Sequence, residues 1–220
     1  MEVNRKAVWL FLAVSFFWGI PYALIRLALE GFEPATIVFV RVVIGACVLL
    51  PIAASRKGTI RSALRHWPWV LAFALIEMAG PWILLNTAEQ HISSSLAGLL
   101  IGAVPFFAVP LAYVLGDKSV FHPKTILGLV LGFGGLIALA GIDSFSGHLE
   151  PIWLGAMILA CLGYAIAPAI AAKKLGTESS IAVAGLAMAM VAVVYSVPGI
   201  GGLISVASHP APASASRKAR

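Results

Sequence analysis

Charge is scarce in this chain. Only 11% of its 220 residues are Asp, Glu, Lys or Arg, against about a quarter in an ordinary soluble domain, while 60% are hydrophobic and the mean hydropathy is +0.99. So little charge cannot coat a water-soluble surface, which excludes an ordinary soluble enzyme or binding domain. Cysteine is scarcer still. Cys47 and Cys161 sit among apolar neighbours without metal-ligand spacing, and read as small packing residues buried at membrane depth. No Walker loop, HExxH, GxSxG or paired-cysteine motif occurs, so ATP-driven pumping and intramembrane hydrolysis have no visible machinery. His66, His91, His122, His148 and His209 fall in loops or at helix ends, too scattered to share a metal. The expectation is a protein that is no enzyme and holds no cofactor and no metal.

In place of charge the chain has apolar length. Its hydrophobic residues come in blocks of about 20, the length a helix needs to cross a hydrocarbon layer of about 30 Å. The pattern predicts spans over residues 7–29, 34–54, 67–87, 93–115, 124–142, 151–172 and 181–204. Helices are expected because they satisfy every backbone amide internally, and the alternating polar and apolar strands of a membrane barrel are absent. The first block is longer than a signal-peptide core and no small-residue cleavage site follows it, so it is expected to be retained. Short linkers predict that consecutive spans lie side by side, antiparallel.

The formal net charge of +6 would suggest nucleic acid in a soluble chain, but here the basic residues lie between apolar blocks. Arg5 and Lys6, then Arg56, Lys57, Arg61 and Arg65, then Lys118 and Lys124, then Lys173 and Lys174 alternate with the acidic Glu30, Glu33, Glu89, Asp143 and Glu150. All the basic loops thus fall on one side, which by the positive-inside rule is cytoplasmic and carries the N-terminus. The partner implied is a lipid bilayer, that of a bacterial inner membrane, and not nucleic acid. Residues 205–220, rich in Pro, Ala and Ser and ending with Arg217, Lys218 and Arg220, break the alternation and are expected to be a disordered tail.

The blocks also hint at duplication. At an offset of 144, Trp9-Leu10 falls on Trp153-Leu154 and Gly19 on Gly163; Pro51 and Pro198 correspond at a slightly larger offset. Residues 7–142 then form a five-helix unit and 151–204 begin a second. An odd number of crossings forces the second copy to insert upside down, the inverted-repeat design of many secondary transporters, whose substrate site lies near the midplane between repeats. The expected fold is an all-α polytopic membrane protein of about seven transmembrane helices.

Several motifs carry a family resemblance. They are Trp18-Gly19-Ile20-Pro21-Tyr22, Arg41, the stretch from Ala88-Glu89-Gln90-His91-Ile92-Ser93-Ser94-Ser95-Leu96-Ala97 to Pro105, Gly116-Asp117-Lys118, and the glycines Gly128, Gly132, Gly134 and Gly135. In their order and spacing the chain resembles the EamA-type transporters of the drug/metabolite transporter superfamily, most closely over residues 7–140. The resemblance implies ten helices in two inverted five-helix repeats and movement of small metabolites. Two departures stand out: Asp117 where the family usually has Glu, and a second repeat lacking about three helices.

Glu77 is the outstanding ionisable residue, midway along the third span within Leu75-Ile76-Glu77-Met78-Ala79. A charge at helix centre costs roughly 2.5–3.5 kcal/mol on insertion scales, so it normally faces the bundle interior or a wet cavity. Glu77 is a candidate for binding a proton or a cationic substrate group; a structural ion pair or a protonated packing residue is the alternative. Arg41, about a third of the way into its span, could pair with Glu77 or hold an anionic substrate group, whereas Arg26 lies near a helix end and can snorkel. Trp18, Tyr22, Trp82 and Asn86 are candidates to line a substrate cavity, against interfacial anchoring as the plainer reading, which Trp67 and Trp69 fit. Pro21, Pro81, Pro105, Pro110 and Pro168 should interrupt helices, beside a binding site or as simple kinks. Gly98 with Gly102 and Gly128 with Gly132 read as close-packing faces. The function expected is alternating-access transport of small metabolites, as exporter or exchanger. A homodimer could in principle supply any missing wall, and the rival reading is a truncated, non-transporting membrane fragment or assembly subunit.

Overall fold

Prolines and glycines decide where the apolar blocks stay continuous and where they break. The computed structural model describes residues 5–146 and 150–208, and no strand occurs among them. The first two blocks form α1 (Arg5–Ala28) and α2 (Pro34–Ala54), and α3 (Thr59–Arg65) follows as a short connector. The third block divides into α4 (Trp67–Ala74), a π turn (Leu75–Ala79) and α5 (Gly80–Ala88). The fourth divides into α6 (Ser94–Ile101) and α7 (Val104–Val114). Then come α8 (Pro123–Ser146), α9 (Pro151–Lys174), α10 (Ser180–Val194) and α11 (Ser196–Ser208).

Among the described residues, five stretches can cross a bilayer by length and composition: Val8–Ala28, Pro34–Ala54, Trp67–Ala88, Ser94–Val114 and Pro151–Lys174. A sixth crossing results if α10 and α11, bent by 67°, count as one broken span. The expected fifth span falls within α8, apolar over Pro123–Ala138. The bend after α10 has a direct cause, since Pro198 has no N–H to donate to the Val194 carbonyl four residues back. Helix α11 runs to Ser208, past the expected start of the tail at 205; Arg217, Lys218 and Arg220 lie outside the described residues.

The π turn follows from Pro81 in the same way. The Gly80 N–H reaches back five residues to the Leu75 carbonyl. The next donor in that register would be residue 81, a proline, so the ladder offers the Ile76 carbonyl no N–H. In the fourth block Pro105 likewise cannot donate to Ile101, and α6 ends there. Its start is set by Ser93, whose hydroxyl accepts from the Leu96 N–H at 3.2 Å.

Helices remote in sequence pack most extensively, α2 on α10 and α5 on α9, whereas α1 lies on α6 rather than beside α2 as short linkers suggested. Contacts between α2 and the α10–α11 pair run antiparallel. Gly45 faces Met188, Gly185 faces Leu49 and Leu50, Gly199 faces Phe39, and Gly202 faces Thr36. With no hydrophobic drive between helices in lipid, such glycines allow the backbone approach that dispersion needs. Gly98 and Gly102 act alike, meeting Tyr22 on α1 and Leu136 on α8. Gly128 and Gly132 do not: no atom lies within 4 Å of where their Cβ atoms would stand, so the packing face expected there is open. Cys161 is buried, with its thiol 3.3 Å from the Leu100 carbonyl; Cys47 is exposed on α2 rather than buried as expected.

Two separate cores result. One joins α2, α3, α4 and α10 through Val38, Val42, Ala63, Val70, Ala74 and Val191; the other joins α1, α5, α6 and α9 through Ile25, Leu85, Leu96, Met157 and Cys161. The third span belongs to both, siding with the first core from Val70 through Ile83 and with the second from Leu84 to Ala88. Apolar side chains also cover the outside, with Trp9, Phe17 and Val114 each at least 70% exposed, as expected of a surface solvated by acyl chains.

Candidate functional site

The π turn places Glu77 where the two cores meet, at the wall of a cavity of about 260 Å³. Arg41 reaches the same cavity from α2, and its guanidinium lies 4.1 Å from the centre of the Trp82 ring. Such stacking holds the charge in place without neutralising it. Tyr22 enters from α1 directly after Pro21, its ring packed over Gly98. Tyr164 enters from α9 beside Gly163, where a Cβ would stand 2.6 Å from the Ile76 carbonyl and 2.8 Å from Pro81. Only glycine lets α9 approach the π turn this closely. Ile25, Leu85 and Ile101 supply apolar wall, and the exposed Phe17 marks an opening beside α1.

Arg41 and Glu77 carry opposite charge in one cavity but do not pair. Among the described residues the only ion-pair contact joins His66 Nδ1 to Glu178 Oε1 at 3.3 Å, in the loops before α4 and α10. Glu77 Oε2 is buried and accepts no hydrogen bond. Two separated, poorly solvated charges of opposite sign are costly in a protein interior, and each favours a ligand group that would neutralise it.

The structure thus brings four sequence candidates, Glu77, Arg41, Tyr22 and Trp82, to one cavity. Asn86 does not join them: it is fully buried nearer the helix end, where its Nδ2 donates to the Pro34 carbonyl at 3.3 Å and ties α5 to the start of α2. The side chain of Trp18 lies outside the described residues. Tyr164 was missed, because a tyrosine within an apolar run stands out less than a charge. Glu89 was missed as well. It reads as a loop acid, yet it is fully buried just beyond α5, with Oε2 3.2 Å from the Ser94 hydroxyl and Oε1 without a partner. Burial pushes its carboxyl up to about 7, opposed by the Ser94 hydrogen bond and by the charges of Arg26 and Arg41. Arg26 is exposed and donates from Nη1 to the Glu89 carbonyl at 2.6 Å, while His91 stacks on Trp153 of α9 with ring centres 3.9 Å apart.

Residues 5–141, from α1 through most of α8, match the EamA-like transporter family. The chain belongs to that family. Among curated relatives of this EamA-like chain, a probable terminal-alkyne amino-acid exporter of Streptantibioticus cattleyicolor is 31% identical over 137 residues, 62% of this chain and 46% of the relative. The uncharacterized transporter YvbV of Bacillus subtilis is 26% identical over 164 residues, 73% of this chain and 52% of the relative. Protein PagO of Salmonella typhimurium is 27% identical over 194 residues, 86% of this chain and 62% of the relative, a match that extends beyond the family's 5–141. This EamA-like chain spans about half the length of the first of these relatives. No solved structure matches it. The family and the apolar helices together mark it as a multi-pass membrane protein of the EamA-like transporter family.

Proposed function

We propose that this EamA-like chain moves small metabolites outward or in exchange by alternating access, with Glu77, Arg41, Tyr22 and Trp82 as the binding residues and Trp18 beside them. The observation that carries the reading is the unpaired Glu77 and Arg41 in one cavity at the meeting of two separately packed cores. A rocking transporter needs a fixed polar site between bodies that can tilt. Export has the support of the terminal-alkyne amino-acid exporter's name. Membership of a transporter family weighs against the non-transporting reading. Residues 7–142 are the first repeat in this reading and 151–204 the opening of the inverted second. In this reading a second copy of the chain supplies any wall of the cavity that these helices leave open. The N-terminus is cytoplasmic because Lys57, Arg61 and Arg65 collect in one loop. External labelling of a cysteine placed at Lys57 in intact cells would contradict that orientation.

Glu77→Gln tests the site, because it keeps shape and hydrogen-bonding capacity while removing charge. Vesicles carrying the variant at the parent's level should show at least a tenfold loss of substrate flux, the consequence of removing one charged contact. Flux equal to the parent's would return Glu77 to a packing role.

A further inference from the structure

The last turn of α9 carries two lysines, Lys173 and Lys174, both exposed, and neither makes an ion pair among the described residues. Two acids stand close by and are engaged: Glu178, just beyond them, with His66, and Asp117, which shares a hollow with Lys173, with the Ser119 N–H and hydroxyl at 3.0 and 2.6 Å. The Lys174 ammonium is held over α4, 4.7 Å from the centre of the Trp69 ring. An apolar groove ends at these lysines. Ile166, Ala169 and Ile170 recur at helical spacing along α9 and, with Trp69 and with Leu111 and Leu115 at the end of α7, line a hollow of about 170 Å³. A second hollow of about 340 Å³ adjoins it, for Leu111, Leu115, Ala169 and Lys173 line both. Trp69, Leu115 and Ile166 are exposed, so the groove opens toward the acyl chains around the molecule. From Ile166 to Lys174 it runs about 12 Å along the helix, most of the roughly 15 Å depth of one leaflet.

We propose that this groove holds one anionic glycerophospholipid, its phosphate between Lys173 and Lys174 and one acyl chain in each hollow. None of the groove residues lines the cavity with Glu77, so the site is separate from the one read as the transport site. Two ammonium groups without an acid partner, at the membrane end of an apolar groove between helices, match the charge and the depth of a lipid phosphate. A zwitterionic headgroup would bring a cation of its own to a place where the nearby acids are engaged. A single-chain amphiphile would leave one hollow uncovered. Charge and shape thus select the same molecule: the lysines choose the headgroup, and the paired hollows choose a lipid with two chains.

The test is native mass spectrometry of the full chain in uncharged detergent, titrated with dioleoyl phosphatidylglycerol and, separately, with dioleoyl phosphatidylcholine. One phosphatidylglycerol per chain is expected to bind before any phosphatidylcholine. Lys173→Gln and Lys174→Gln should each weaken it roughly fivefold, the effect of one lysine beside an anionic headgroup, and the double variant about 25-fold. Lys118→Gln combined with Lys124→Gln removes the same charge from residues that line neither hollow and should leave binding as in the parent. Ala169→Phe, which fills the shared wall of the two hollows, should weaken both lipids. Equal affinity for the two lipids in the parent would overturn the proposal, and so would an equal loss in the control pair, which would mean diffuse surface charge. Competition by glycerol 3-phosphate would overturn it by showing a site for phosphate alone. Binding of one-chain lysophosphatidylglycerol as tight as that of the two-chain lipid would overturn it as well. Dimerisation that abolishes lipid binding would mark the groove as a contact between copies and count against it equally. If Ala169→Phe fails to fold, the lysine variants and the lipid series on the parent decide alone.

Discussion

Glu89 shows how little a single letter says about its surroundings. Flanked by Gln90 and His91 it reads as a solvated loop acid, yet the chain folds it into a fully buried position between Ser94 and Arg26. Glu77 and Arg41 were legible for the opposite reason, since a charge among aliphatic residues has no plain explanation. Tyr164 gave no such contrast, and the sequence places nothing beside it. The carboxyl of Glu89, ordinarily near 4.5, is held at about 7 in the folded protein by burial. The folded state therefore keeps a proton that the unfolded chain has released, and stability falls as pH rises from about 4.5 through about 7. Glu89→Gln should remove this part of the pH dependence, so its melting temperature above pH 7 should exceed the parent's by more than it does below pH 4.5. Parallel melting profiles for the two proteins would contradict the assignment.

At the scale of elements, prolines were partly readable and partners were not. Pro81 and Pro105 coincide with expected breaks, because a missing N–H is a local fact, and Pro198 marks a further one; but α1, α7 and α9 run on through Pro21, Pro110 and Pro168, where interruptions were also expected. That the first of these breaks would be a π turn holding Glu77 was not readable, because it also depends on α9 lying against it through Gly163. The glycines of α8 mislead for the same reason, since a smooth helix face has no packing role until another helix arrives. Gly163→Ala should force α9 away from the π turn. Overpacking against backbone is difficult to relieve, so a loss of about 1–3 kcal/mol is expected, read as a lower melting temperature of the purified protein. Unchanged stability would mean that the contact is looser than the geometry indicates.

At the scale of the whole molecule, the apolar blocks announced a helical membrane protein, whereas the pairing of α2 with α10 and of α5 with α9 joins residues too far apart in sequence for any local pattern to foretell. The split into two cores has a consequence for how the protein comes apart. Units with their own buried contacts open separately, each at its own free energy. In native-state hydrogen exchange, amides of α2, α4 and α10 should form one protection class and those of α6, α9 and the end of α5 another. The third span should change class near Ile83 and Leu84, within a single run of helical backbone. Uniform protection from Trp67 to Ala88 would show one cooperative unit instead. With two units, the chain has a fracture line through its own third helix, and local melting on one side of that line leaves the other side folded.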